Sequence, residues 1–318
     1  MFMQLVHVAV AVIMRGNRVL IAKRSDDAHQ GGLWEFPGGK VESNETVRHA
    51  LKRELKEELD IEVNLSDGVQ PLISIRHDYG DKAVLLDVWV VSSFEGEAVG
   101  AEGQPIKWVE KENLNDFAFP EANKPIISAI LLPNKYLITG GYETPDDCMH
   151  KLQHAISCHG IKLVQFRNHG LYASDQEAYI AQATGIRDIC HYNGVRLILN
   201  APPAILQGID AAGVHLTYAQ ANEYSTRPVP RNKWLGVSCH NAEELSNLAR
   251  LSPDYVLLSP VNKTATHPDA EPMGWEKFKA LVETVPYPVF ALGGMMDTDM
   301  TDAINYGAQG IAAISAWW

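Results

Sequence analysis

The stretch FPGGKVESNETVRHALKRELKEELDI, Phe36 to Ile61, sets Glu54, Glu57 and Glu58 within a single turn or so of one another. Ala, Leu, Lys, Arg and Glu dominate from Thr46 to Leu59, which predicts a helix there. Ser43 or Asn44 can cap its N-terminus, after a Gly38-Gly39 turn that no helix would choose. At about 100° per residue, the three glutamates fall within an arc of roughly 100° on one face. Carboxylates three and four apart repel, though modestly. A divalent cation would reverse that penalty, and Mg²⁺ in particular combines carboxylate oxygens with substrate phosphates. Taken alone, RELKEEL reads more readily as the solvated face of a Glu/Lys-rich helix. What decides between the two readings lies on either side of it.

The chain has 318 residues, which suggests two domains. A hydrophobic content of 46% and a charged content of 21% describe an ordinary globular protein. The net charge of −12 argues against a nucleic-acid surface and favours small-molecule work, with metal ions or local Lys and Arg offsetting any substrate phosphates. No apolar run reaches the roughly 18 residues of a membrane helix, so no membrane partner is expected. The N-terminal MFMQLVHVAVAVIM lacks a basic flank and a cleavage site, and its alternation reads as a strand. Cys148, Cys158, Cys190 and Cys239 are scattered without ligand spacing, which suggests reduced, core-filling thiols in a cytoplasmic compartment.

Two halves follow different grammars. Residues 1–132 read as mixed strands and two helices: a hairpin around Arg15-Gly16-Asn17, a long strand in AVLLDVWVVSSF, a short one in QPIKWVE, and a closing helix in NKPIISAILL. Pro133-Asn134 marks the junction. In residues 133–318, apolar runs recur as YLITG, LVQFR, RLILN, GVHL, LGVS, YVLLSP, PVFALGG and GIAAIS, with helix-compatible stretches between most of them. Strands alternating with helices in this number predict a (β/α)8 barrel, small for its class at about 185 residues. A doubly wound open sheet is the structural alternative.

Gly39, Glu45, Arg53-Glu54-Leu55, Glu57-Glu58 and Ile61, at their spacing over 23 positions, reproduce the Nudix box. Asp60 departs from it, since the family has Gly there, just beyond the helix where the chain often turns left-handed. Asp tolerates that conformation at a cost of ~1 kcal/mol, which bears on stability and not on chemistry. Over residues 4–131 the chain resembles the MutT type of Nudix hydrolase. KRSDDAHQGGLWEFPGGK carries Arg24 and an Asp27-Ala28-His29 run, and Glu102 in GEAVGAEGQPIKW and Asn123 in FAFPEANKPII keep that type's mutual spacing. The resemblance implies an α/β/α sandwich around a mixed sheet. It also implies cleavage of 8-oxo-dGTP to the monophosphate and pyrophosphate, which clears a mutagenic nucleotide from the pool. On this likeness Glu54, Glu57, Glu58 and the Gly38 carbonyl would hold Mg²⁺ or Mn²⁺. Glu102 would add a ligand or base, Arg53 would orient the helix carboxylates, and Arg24, Phe36 and Asn123 would line the base pocket. Read singly, Arg24 is equally a surface cation, Phe36 a core residue, Asn123 a helix cap and Glu102 a turn residue. His7, His29, His49 and His77 have no metal-like partner at useful spacing and are read as structural.

Residues 135–318 resemble thiamine-phosphate synthase and its non-synthase relative TenI, both (β/α)8 barrels. LVQFR, GVHL, LGVSCHNAEEL, DYVLLSPV, ALGGM and GAQGIAAIS follow that family's order. Arg167, Asn200, His215, Ser238 and Ser259 fall at predicted C-terminal strand ends, where barrel sites lie. Gly293, Gly294 and Ser315 follow the last two strands, where barrels bind phosphate. The synthase's charged groups are depleted: Asn168-His169 follows Arg167, Ala201 follows Asn200, Thr217 to Gln220 holds no acid, and a Thr/Lys loop reads Thr264-Ala265-Thr266-His267. Ala and Gln cannot hold Mg²⁺ as Asp does. The likeness therefore implies a TenI-like binding or regulatory barrel for a phosphorylated thiamine-pathway ligand. In the alternative reading, the first half trims a thiamine-pathway pyrophosphate.

Overall fold

A computed structural model describes residues 5–27, 30–78, 80, 83–264 and 271–318. Ala28 and His29 of the Asp27–His29 run, and residues 265–267 of the Thr264–His267 loop, lie outside them. The chain divides into two compact units, Met1–Leu131 and Leu132–Trp318. Leu132 is buried with Tyr136 and Phe290, which assigns it to the second unit.

The first unit contains β1 (Leu5–Arg15), β2 (Arg18–Lys23), β3 (Trp34–Glu35), β4 (Gly38–Lys40), α1 (Val47–Leu59), β5 (Glu62–Val63), β6 (Val69–Asp78), β7 (Ala83–Val91), β8 (Phe94–Glu95), β9 (Ile106–Glu110) and α2 (Lys124–Leu131). The main sheet runs β3-β2-β1-β7-β6, with β4 on β1 and β9 on β2. It is mixed, because β1 pairs parallel with β7 and antiparallel with β2 and β4. The expected hairpin joins β1 to β2 with Arg15 opposite Arg18. β1 alternates strictly, and this positions the site. Ala9, Ala11 and Ile13 pack with Leu51 and Leu55 of α1, while Val6, Val8 and Val10 line a cleft together with Val84 and Leu86 of β7. Strand β6 was not expected. Pro71 removes a ladder donor and the pairing shifts register between Pro71 and Ile73, which an edge strand tolerates.

The second unit closes a parallel barrel from β10 (Lys135–Ile138), β11 (Leu163–Phe166), β12 (Arg196–Leu199), β13 (Gly213–Leu216), β14 (Trp234–Cys239), β15 (Tyr255–Leu258), β16 (Val289–Leu292) and β17 (Gly310–Ala313). These are the eight apolar runs of the sequence, and pairing of β10 with β17 excludes the open sheet. The barrel interior is packed by Tyr136, Ile198, Tyr255, Leu257 and Phe290. Its buried hydroxyls pair with each other, Tyr136 Oη to Tyr255 Oη at 2.7 Å, and Gln165 Nε2 donates to Tyr136 Oη at 3.0 Å. Cys148, Cys190 and Cys239 fill the core as expected, whereas Cys158 is exposed. Among the described residues no helix is long and apolar enough to cross a membrane.

Candidate active site and barrel cavity

Packing sets the orientation of α1. Ala50, Leu51, Leu55 and Leu59 are buried against the sheet, and Glu54 and Glu58 stand half-buried beside them over the Gly38-Gly39 turn, with Glu57 exposed. Each buried Leu is worth roughly 1.5–3 kcal/mol. Helical charge pairs cost only about 0.2–0.5 kcal/mol. Packing therefore outweighs the repulsion. Gly38 is required sterically, and Gly39 gives the Glu54 carboxylate its place. Gly38 has φ +141°, and a Cβ there would fall 2.1 Å from the Ala9 carbonyl oxygen. A Cβ on Gly39 would fall 2.2–2.4 Å from the Glu54 carboxylate.

Arg53 gathers the polar side of the helix. It donates to Glu54 Oε1 at 2.7 Å, to Glu45 Oε1 at 2.5 Å and to the Lys40 carbonyl at 3.0 Å, with Glu57 Oε2 at 3.5 Å. Hydrogen bonds to Glu45 and Glu54 raise the Arg53 pKa, so it stays charged. Glu58 is in different company. Burial pushes its carboxyl up to about 7, aided by the charges of Glu35, Glu54 and Glu102, while the Gly38 N–H opposes the shift with a hydrogen bond of 3.1 Å. Among the described residues no three His, Cys, Asp or Glu side chains converge as they stand into an ion-enclosing group. Glu54 is turned to Arg53, and Glu58 to Gly38. The donor chemistry nevertheless fits a hard divalent cation: oxygen ligands only, partly desolvated, with an uncompensated carboxylate among them. The expected set of Gly38, Glu54, Glu57 and Glu58 could hold such an ion once Glu54 and Glu57 turn from Arg53.

The residues expected to line the base pocket come together. Arg24, Phe36 and Asn123 share a cleft of about 320 Å³ with Gln30, Glu35, Gly38, Gly39 and Pro120. Phe36 serves both of its readings, since it lines the cleft, is 3% exposed and stacks on Phe119 at 5.2 Å. Arg24 is no free surface cation, because it is ion-paired and hydrogen-bonded to Glu35. Burial raises the Glu35 pKa and Arg24 counters it. A second cavity, about 360 Å³, brings Glu102 together with Arg24, Glu35 and Glu58. Glu35 thus borders both spaces, a role that nothing in its sequence position announced. His7 and His49 are structural as expected, on Asp87 Oδ2 at 3.3 Å and on Thr46 Oγ1 at 2.8 Å.

In the barrel, Arg167, Asn200, His215, Ser238, Ser259 and Gly293 line one cavity of about 380 Å³ with His169, Thr217 and His240. Gly294 and Ser315 do not line it, and Ser315 is exposed in the turn after β17. His215 Nε2 pairs with Ser238 Oγ at 2.8 Å, and Asn200 Nδ2 donates to the His215 carbonyl at 2.7 Å. Burial, then the Arg167 and His169 charges, lower the His215 pKa to about 3, so its imidazole is neutral. No carboxylate is among the described lining residues. In the Thr217–Gln220 segment after β13, Gln220 is spent on capping, accepting from the Thr217 N–H at 3.0 Å.

Comparison with known proteins matches this division. A NUDIX domain family model covers residues 9–129, and a thiamine monophosphate synthase model covers residues 135–317. The 8-oxo-dGTP diphosphatase of Escherichia coli is 37% identical over 129 residues, 40% of this chain and 98% of that protein. The CTP pyrophosphohydrolase of the same species is 35% identical over 129 residues, 41% of this chain and 93% of its own length. A thiamine-phosphate synthase of Chloroflexus aurantiacus is 35% identical over 158 residues, 49% of this chain and 72% of that protein. One polypeptide thus joins a MutT-like Nudix hydrolase domain to a barrel domain, and the chain belongs to both the Nudix and the thiamine monophosphate synthase/TenI families.

Proposed function

We propose that the first domain, Met1–Leu131, is a Mg²⁺-dependent pyrophosphohydrolase that converts 8-oxo-dGTP and related oxidised purine nucleoside triphosphates to the monophosphate and pyrophosphate. Such an activity sanitises the nucleotide pool and prevents mutation at DNA replication. One observation carries the reading: Arg24, Phe36 and Asn123 line a single cleft whose edge is Gly38 and Gly39, the turn that faces the carboxylate helix. Asn123 offers a donor and an acceptor to a purine edge, and Phe36 an aromatic wall. Arg53 restrains Glu54 and Glu57, and Glu58 and Glu102 line the second cavity, which shares Arg24 and Glu35 with the cleft. When bound, Mg²⁺ or Mn²⁺ would neutralise polyphosphate charge and ease deprotonation of the attacking water. The second domain, Leu132–Trp318, is on this reading not an active thiamine-phosphate synthase but a site for a phosphorylated thiamine-pathway ligand, because its cavity offers the Arg167 cation and, among its described lining residues, no acid for a metal–diphosphate. That fused barrel motivates the second reading, hydrolysis of hydroxymethylpyrimidine or thiamine diphosphate by the Nudix half.

Ion-exchange analysis of products from 8-oxo-dGTP and from hydroxymethylpyrimidine diphosphate separates the two. The first reading expects monophosphate and pyrophosphate from 8-oxo-dGTP only with Mg²⁺ added, and neither from Glu57→Gln. Preferential cleavage of the pyrimidine diphosphate would move the activity to the second reading.

A further inference from the structure

The last carbonyls of a helix have no partners within it. At the C-terminal turn of α1 they are taken by a loop: Leu59's accepts from the Val99 N–H at 3.0 Å, and Glu58's from the Ala101 N–H at 2.9 Å. Gln104 adds its side chain to this contact. Its Nε2 donates to the same Glu58 carbonyl at 2.8 Å, and its Oε1 accepts from the Glu102 N–H at 3.0 Å. One amide therefore ties the backbone of Glu58 to the backbone of Glu102. Both residues, with Gln104 itself, line the cavity of about 360 Å³ beside the carboxylate helix. The loop leaves little slack, since a Cβ on Gly100 would fall 1.9 Å from the Gln104 carbonyl oxygen. The bridge needs a donor and an acceptor on one planar group, which neither a carboxylate nor an alkyl chain supplies.

We propose that Gln104 is a positioning residue, whose amide fixes Glu102 relative to Glu58 and so completes the oxygen set available to a divalent cation. This rests on the reading of the first domain as a metal-dependent hydrolase. It is distinct from the base cleft, whose lining does not include Gln104.

A double-mutant cycle on the full chain tests it, with Gln104→Leu and Glu102→Gln made singly and together. Mn²⁺ affinity is read by EPR of the free ion, and kcat and KM with 8-oxo-dGTP at saturating Mg²⁺. Gln104→Leu alone should weaken Mn²⁺ binding and lower kcat by about 10- to 100-fold, the range typical of outer partners of metal ligands. KM should move little, because Arg24, Phe36 and Asn123 are untouched. In the Glu102→Gln background Gln104→Leu should cost nothing further, the non-additivity of two residues acting as one unit. The near-isosteric Gln104→Glu, which keeps the acceptor but sets an oxygen against the Glu58 carbonyl, should behave like Leu; it also serves if the Leu variant does not fold. Equal losses in both backgrounds, or unchanged Mn²⁺ affinity, would overturn the proposal. A wild-type chain inactive on 8-oxo-dGTP would instead count against the hydrolase reading, and the Mn²⁺ cycle would still decide the role of Gln104.

Discussion

Glu58 concentrates the conflict in the Nudix site. Burial and the charges of Glu35, Glu54 and Glu102 oppose its ionisation, and the Gly38 N–H supports it. A neutral amide of the same shape keeps an acceptor for that N–H and removes the repulsion. Glu58→Gln should therefore raise the melting temperature of the metal-free protein while lowering kcat by roughly 100-fold or more, a loss at least as large as that from an outer metal partner. Calorimetry in EDTA and a rate assay in Mg²⁺ check the two halves; a variant less stable and equally active would contradict the assignment. His215 makes the barrel's counterpart. Its folded pKa of about 3 lies below the unfolded value of 6.5. The unfolded chain then binds the extra proton, so stability falls as pH drops from about 6.5 toward 3, with a limiting slope of about 1.4 kcal/mol per pH unit. Urea titrations at pH 7 and 5 should show the barrel transition weakening with acid, and His215→Gln should blunt that loss.

Helix α1 shows what local sequence can and cannot settle. Its extent follows from propensity, and the Gly38-Gly39 turn before it from the absence of room for a Cβ. The cap does not fall on Ser43 or Asn44 but on Thr46, which is extended at φ −85° and ψ 158° and accepts from the His49 N–H. The barrel strands are legible because each is a short apolar run closed by a turn. Strand β6 is not, because Pro71 at an edge reads as a break. Nor are the Arg24–Glu35 pair and the Gln104 bridge, which depend on β2 meeting β3 and on a contact 46 positions apart in the chain. Asp60 does take the left-handed conformation, at φ 54°. Replacing it by Gly relieves about 1 kcal/mol of strain. The lost ion pair with Lys56 is exposed and offsets only part of that, and Lys56 keeps Glu62 at 3.3 Å. Asp60→Gly should thus stabilise the first domain by about 0.5 kcal/mol in thermal scans and leave kcat/KM unchanged.

The two domains differ in how much of their family chemistry they retain. The Nudix half keeps Glu45, Glu54, Glu57 and Glu58 of its box, whereas no carboxylate is among the described residues lining the barrel cavity, and Gln220 nearby in sequence is spent on capping. Incubating the full chain with thiazole phosphate, hydroxymethylpyrimidine diphosphate and Mg²⁺ should yield no thiamine phosphate by chromatography; steady formation would restore the barrel to synthesis. The nucleotide assignment itself meets two relatives that act on different bases, 8-oxo-dGTP and CTP. A cleft with Asn123 and Arg24 against an aromatic wall should discriminate through hydrogen bonds, which sites built this way do far better than apolar pockets. The decisive measurement is kcat/KM for 8-oxo-dGTP, dGTP and CTP under one Mg²⁺ concentration. An oxidised-purine hydrolase gives 8-oxo-dGTP an advantage of about 100-fold or more over both. Equal values, or a preference for CTP, would contradict it.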